Sequence, residues 1–262
     1  DALPIQEATG LEFSSAYAEV SHSCGHDIHA IVALYCAKIL NERKEMLVGN
    51  VRVVFQPAEE TVTGAKGMIK AGLMERQPLN DIVVGLHTHP LTPVGNIRLR
   101  KGPMEAGSDY ITITVKGKCG HGAYPHDCVD PIVVSAYLIT QLQTVISREN
   151  QAVKAAVLTI GSIHSGQTYN SIPGEVVMLG TLRNLYPECR EKNLEAIRRI
   201  TKGVCESMRA EGTVEVSDAN LPPVFNDDTV VDGIVKAADE ILGEGHVLDL
   251  KLPSMGSDDF AM

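Results

Sequence analysis

Val51-Arg52-Val53-Val54-Phe55 is an apolar run that stops at Gln56-Pro57 and is followed by Ala58-Glu59-Glu60. A comparable run, Ile82-Val83-Val84-Gly85-Leu86, ends directly on His87. Both have the length of a strand, are rich in β-branched residues and are apolar on both faces. That is the pattern of strands buried in a sheet covered on each side. Before them, residues 27 to 44 space Ile28, Ile31, Val32, Tyr35 and Ile39 along one helical face, with Asp27 as the expected N-cap. A second helix through Met68, Ile69 and Leu73 separates the two runs. Strands alternating with helices predict an α/β layer on a mostly parallel sheet.

The pattern changes near residue 108. From Tyr110 to Lys116 the chain alternates strictly, with Ile111, Ile113 and Val115 on one side and Thr112, Thr114 and Lys116 on the other. This is a half-buried strand of an antiparallel sheet. Asp130-Pro131 supplies an N-cap and a first-turn proline for a helix running to about Arg148. Two strands near 154–162 and 175–183, an amphipathic helix carrying Leu194, Ile197, Val204 and Met208, and a strand from Thr213 to Val216 follow. The order β-α-β-β-α-β predicts a ferredoxin-like α+β unit. Residues 108–217 therefore read as a second domain inserted into a discontinuous first one, 1–107 with 218–262. Leu221-Pro222-Pro223 marks the return, and a helix from Asp228 to Leu242 is stopped by Gly243.

The bulk properties exclude several classes. A net charge of −10 over 262 residues leaves no concentrated Lys/Arg face for nucleic acid. No apolar stretch reaches the roughly 18 residues of a membrane span. The first residues, Asp1-Ala2-Leu3-Pro4-Ile5, lack the basic start and apolar core of a signal peptide. The cysteines, Cys24, Cys36, Cys119, Cys128, Cys189 and Cys205, are scattered, so reduced thiols in a cytoplasmic protein are expected rather than a disulfide framework. Both ends read as truncations of a longer chain.

Chemistry concentrates at the ends of the predicted strands, where open α/β sheets collect ligands. Cys24-Gly25-His26 lies on a turn before a helix, Glu59-Glu60 after the first apolar run, and His87 after the second. Singly, each has a bland reading: a buried small thiol, a solvated acidic face, a loop histidine. Together they form a mixed N/O/S donor set suited to Zn²⁺ or a similar divalent ion, with one carboxylate to spare as a base.

His22-Ser23-Cys24-Gly25-His26-Asp27, Phe55-Gln56-Pro57-Ala58-Glu59-Glu60 and Gly85-Leu86-His87 resemble motifs of the M20 metallopeptidase family. The likeness is to its amidohydrolase branch of hippurate hydrolases, N-acyl-amino-acid deacylases and indole-acetyl-amino-acid hydrolases. Asp1-Ala2-Leu3-Pro4-Ile5 and Met255-Gly256-Ser257-Asp258-Asp259-Phe260 resemble its flanking motifs, with Asp258 where Glu is usual. The resemblance implies that Cys24, His26, Glu60 and His87 are ligands of two divalent ions, Zn or Mn with Co or Ni as alternatives, Cys24 bridging them. It makes Glu59 the general base and places Asp1 beside the site to orient a neighbour. In the family a last histidine ligand follows the segment that Asp259-Phe260 resembles, and the 262 residues stop before that position. In the inserted unit, Gly120-His121-Gly122-Ala123 resembles a lid segment that places His121 over the scissile carbonyl. Asn170 and Arg183 fall in segments resembling substrate contacts. The implied reaction is hydrolysis of the amide bond of a small-molecule N-acyl amino acid, with a homodimer formed through the lid domain. His22, His89, His126 and His164 read as loop histidines or neighbours of the ligands, His89 lying only two positions from His87.

Three alternatives remain at this level: a thiol enzyme with Cys24 as nucleophile and His26 as base, a dipeptidase of the same family, and a non-catalytic binding or dimerisation module.

Overall fold

The computed structural model describes the whole chain, residues 1–262. Its elements are α1 (His26–Glu42), α2 (Gly64–Lys70), β1 (Ile97–Leu99), β2 (Gly102–Glu105), β3 (Gly107–Lys116), β4 (Gly120–His121), α3 (Pro131–Thr144), β5 (Ala156–His164), β6 (Ser171–Ile172), β7 (Glu175–Asn184), α4 (Pro187–Ser207), β8 (Glu211–Val216), β9 (Val224–Asn226), α5 (Asp228–Leu242) and β10 (Val247–Asp249).

Period-two alternation has the expected outcome in β3, where Ile111, Ile113 and Val115 are all buried. That strand is central in a four-stranded antiparallel sheet ordered β5-β7-β3-β8. Its ladder with β7 runs unbroken from Gly107 opposite Asn184 to Lys116 opposite Glu175. A bulge between Ile160 and Ser162 interrupts the β5–β7 register. Helices α3 and α4 pack together, and Leu138, Leu142, Leu194 and Ile197 join Ile113, Val176 and Met178 in one 18-residue apolar cluster. Every member lies between Ile111 and Ala210. Each such side chain contributes about 1.5–3 kcal/mol, so the best-packed part of the molecule is this antiparallel layer. Asp130 caps α3 as its sequence predicts, accepting from the N–H groups of Ile132 and Val133. The helix ends at Thr144 and continues as a π turn over Val145–Glu149. One buried ion pair ties the layer together: Arg190 on α4 donates twice to Asp109 on β3, at 2.7 and 2.9 Å.

The first part of the chain departs from the sequence reading. Residues 51–55 and 82–86 belong to no helix or strand and pair with no strand. Parallel pairing is confined to the two-stranded ladder of β1 with β10 and an isolated bridge between Glu105 and Ser254, so the mostly parallel sheet is not formed. Apolar patterning alone does not make a strand, which also needs a neighbour to pair with, and neither segment has one. Their side chains stand correspondingly open, Val84 at 63% and Phe55 at 53%. The apolar face of α1 is likewise unburied. That helix begins at His26 rather than after Asp27. Gly25, at φ 77°, is the N-cap, and Asp27 lies in the first turn without capping. No helix is long and apolar enough to cross a membrane.

Two linkers join the antiparallel layer to the rest. Ser108 and Leu221 exchange both backbone hydrogen bonds at 2.9 Å. Gly107 permits this approach, since a Cβ there would lie 2.7 Å from the carbonyl oxygen of Leu221.

Candidate metal centre

The turn before α1 brings two donors to one point. Gly25 adopts the left-handed conformation that glycine takes without a Cβ penalty, so Cys24 and His26 face the same side. Cys24 Sγ lies 3.4 Å from His87 Nε2. The donor atoms of Cys24, His26 and His87 all lie within 4.8 Å of one another. His87 Nδ1 is 2.6 Å from the carbonyl of Thr88, which leaves Nε2 with its lone pair toward Cys24. His26 Nδ1 is held at 2.7 Å by Asp1 Oδ1, turning its Nε2 toward Glu59 Oε2 at 3.7 Å and Glu60 Oε1 at 4.0 Å. Such a carboxylate–imidazole pair fixes the tautomer and aim of a ligating histidine. Asp1 also accepts the backbone N–H of Glu60 at 2.8 Å through its other oxygen. One carboxylate therefore places a donor from α1 and the loop that carries two more.

That loop is strained. Ala58 and Val62 flank the glutamates with φ of 55° and 57°, at about 1–3 kcal/mol each for residues that are not glycine. Buried Asp259 offsets part of this cost by accepting from Gln56 Nε2 at 2.5 Å and the N–H of Ala65 at 3.0 Å. Glu59 consequently stands beside Asp258 and Asp259, with donor oxygens within 4.8 Å.

Burial, then the charges of Asp258, Glu60 and Asp259, push the Glu59 carboxyl up to about 7. Burial, then Glu60 and Glu59, push the Cys24 thiol up to about 11. A pocket where negative charge is this unfavourable calls for a cation. Glu60 Oε1 is buried with no hydrogen-bond partner, facing His26 Nε2 at 4.0 Å. The donor set of thiolate, imidazole and carboxylate fits a divalent transition ion. It does not fit a Cys24–His26 nucleophile pair. His26 Nδ1 is held by Asp1 and its Nε2 faces the glutamates at 3.7 and 4.0 Å without a hydrogen bond to Cys24, and a thiol with a raised pKa carries little thiolate at neutral pH.

Cys24, His26, Glu59, Glu60 and His87 are thus brought together. His121 and Asn170 sit elsewhere, beside each other at the short β4–β6 ladder. There His121 Nδ1 accepts from the N–H of Ala123 at 3.1 Å, and the carbonyl of Asn170 accepts from Gly122 at 2.9 Å. Arg183, on β7, reaches the segment before Asp258, donating to the carbonyl of Met255 at 3.1 Å and to Ser257 Oγ at 3.3 Å. Sequence reasoning missed two members. Asp259 belongs to a flanking motif whose structural role no local pattern reveals. His29 follows His26 by three residues, a helical spacing that would have placed both on one face.

The chain matches the sequence profile of peptidase family M20/M25/M40 over residues 1–262. It is 36% identical to N-acetyl-L-cysteine deacetylase of Bacillus subtilis, covering all of this chain and 61% of that protein. It is 37% identical to N-acetyldiaminopimelate deacetylase of Oenococcus oeni, covering 99% of this chain and 67% of that protein. Among solved structures it resembles the Bacillus subtilis YXEP protein, a dinuclear metal-binding peptidase of the M20 family. That match has a TM-score of 0.84 and 34% identity, covering the whole chain and 65% of the other.

Proposed function

The chain belongs to peptidase family M20/M25/M40, and on that premise we propose that it serves divalent-metal-dependent hydrolysis of the amide bond of N-acyl amino acids. The products are a carboxylic acid and an amino acid. The observation that carries this reading is the convergence of Cys24, His26 and His87 donors within 4.8 Å, beside Glu59, whose carboxyl is pushed up by burial and the charges of Asp258, Glu60 and Asp259.

Cys24, His26, Glu60 and His87 are assigned as metal ligands, for two ions by likeness to the dinuclear YXEP protein. Zn²⁺ or Mn²⁺ is the first choice, and Co²⁺ or Ni²⁺ also suits the donors. An ion held by these residues would polarise the scissile carbonyl and lower the pKa of a nearby water toward about 7. Glu59 is assigned as general base. It takes the proton of the attacking water and returns it to the leaving nitrogen, a role worth about 10²–10⁴-fold. His121 is assigned to the developing oxyanion, and Asn170 and Arg183 to the substrate, Arg183 to its carboxylate. Residues 108–217 act as a lid and dimer contact, which lets His121 and Asn170 serve the centre of a neighbouring copy. The deacetylase relatives point to N-acetyl amino acids as the first substrates to try.

The test is a panel of hippurate and N-acetyl amino acids, assayed after EDTA stripping and re-addition of each metal. Activity should vanish with EDTA and return with metal. Glu59→Gln should lose turnover by roughly 10²–10⁴-fold with metal content unchanged. EDTA-resistant hydrolysis, or near-full activity in Glu59→Gln, overturns the reading.

A further inference from the structure

We propose that His29 is a positioning residue of this centre, fixing the Thr88 peptide, and through it the ring of His87, against the turn that carries Cys24 and His26. The inference builds on the metal-centre reading above.

Residues 82–88 lie outside every helix and strand and have no sheet partner. Their hydrogen bonds to other parts of the chain come from two residues only, His87 to Cys24 and Thr88 to His29. The Cys24–His87 contact is one between two assigned ligands, so without a further hold the placement of His87 depends on the ion it receives. His29 provides that hold. Its Nε2 accepts the backbone N–H of Thr88 at 2.9 Å and lies 3.1 Å from Thr88 Oγ1. An imidazole nitrogen that accepts an N–H carries no proton, so the ring proton of His29 sits on Nδ1.

Thr88 passes the constraint on. Its carbonyl takes the Nδ1 proton of His87 at 2.6 Å, which directs Nε2 to Cys24 Sγ. The rings of His29 and His87 also meet edge to face, with centroids 4.4 Å apart at 69°. Gly25 completes the fit, because a Cβ at that position would lie 2.5 Å from Thr88 Oγ1. One turn of α1 thus presents a ligand, His26, and a clamp, His29, on a single face. Two ligand-bearing segments 61 positions apart, from His26 to His87, are joined through it.

Two variants separate this role from simple packing. His29→Phe keeps a ring and removes the acceptor, whereas His29→Gln offers an amide oxygen in its place. Each is read by hydrogen exchange of the Thr88 amide in the metal-free chain and by Co²⁺ titration followed by absorption. In His29→Phe, Thr88 should lose protection and Co²⁺ affinity should fall about 10–100-fold, as for other residues that orient a ligand. His29→Gln should retain both properties. Unchanged Co²⁺ affinity and Thr88 protection in His29→Phe overturns the proposal, as does an equal loss in both variants. If His29→Phe does not fold, His29→Gln decides: a protected Thr88 amide upholds the accepting contact and an unprotected one refutes it. If the unsubstituted chain takes up no Co²⁺, the metal-centre reading fails, while the Thr88 exchange comparison still decides the positioning role.

Discussion

Asp1 makes the most economical contact in the centre, and its removal should be felt at two ligands together. Its Oδ1 accepts from His26 Nδ1 at 2.7 Å and its Oδ2 from the N–H of Glu60 at 2.8 Å. Hydrogen bonds to a charged group are worth about 1.5–3 kcal/mol each, and the Asp1 side chain keeps only 19% of its surface in water. Asp1→Ala forfeits both bonds, but water can replace part of each, and only the share that pre-aims His26 and Glu60 enters metal affinity. An orienting partner of this kind carries about 10–100-fold in affinity, or about 1.4–2.8 kcal/mol at 1.4 kcal/mol per tenfold. Asp1→Asn should fall between the two, because its amide oxygen can accept from one partner while its NH₂ faces the other donor. The assay is Zn²⁺ competition against a chromophoric chelator at fixed pH. If Asp1→Ala matched the unsubstituted chain, or Asp1→Asn proved weaker than Asp1→Ala, the idea that Asp1 aims the ligands would be wrong.

Arg190→Met strands Asp109, whose side chain is 1% exposed, without its partner. Urea denaturation should show a loss of about 3 kcal/mol, the low end for a broken buried pair, since Arg190 keeps 26% of its side chain in water. The double variant with Asp109→Asn should recover much of that loss. Gly25→Ala forces a φ of 77° on a residue with a Cβ and drives that Cβ to 2.5 Å from Thr88 Oγ1. Its melting temperature and its Co²⁺ affinity should both fall, the left-handed conformation alone costing about 1–2 kcal/mol. For Glu59 the folded pKa, about 7, stands above the ordinary 4.5. Between those values the folded state holds a proton that the unfolded state releases. The metal-free protein therefore has this contribution in full below pH 4.5 and loses it as pH rises through 7. Urea midpoints measured in EDTA across that window should fall more steeply for the unsubstituted chain than for Glu59→Gln.

How much was legible in the sequence follows from the range of the interactions involved. The alternation of Ile111, Ile113 and Val115 and the Asp130-Pro131 helix start are local signals, and both are realised. The apolar runs at 51–55 and 82–86 read as strands but form none, because a strand ladder is a property of two segments and periodicity within one cannot supply the other. Asp27 is a good capping residue in a position that Gly25 takes, because the αL turn that aims Cys24 and His26 must come first. Cys24, His26, Glu59 and His87 stood out because each ends an apolar run or opens a helix. Spacing did not single out the residues that hold them, and only the family resemblance placed Asp1 beside the site. Asp1 meets His26 across 25 positions, and Asp259 meets Gln56 across 203. Such roles are set by tertiary contact and leave no mark on spacing.

The most direct test of the metal centre is the absorption spectrum of the Co²⁺-loaded chain beside Cys24→Ser. Coordination through Cys24, His26, Glu60 and His87 predicts a thiolate-to-cobalt charge-transfer band in the near ultraviolet. That band should be absent from Cys24→Ser and retained in Glu59→Gln. A chain that binds no Co²⁺, or a band that survives Cys24→Ser, would contradict it.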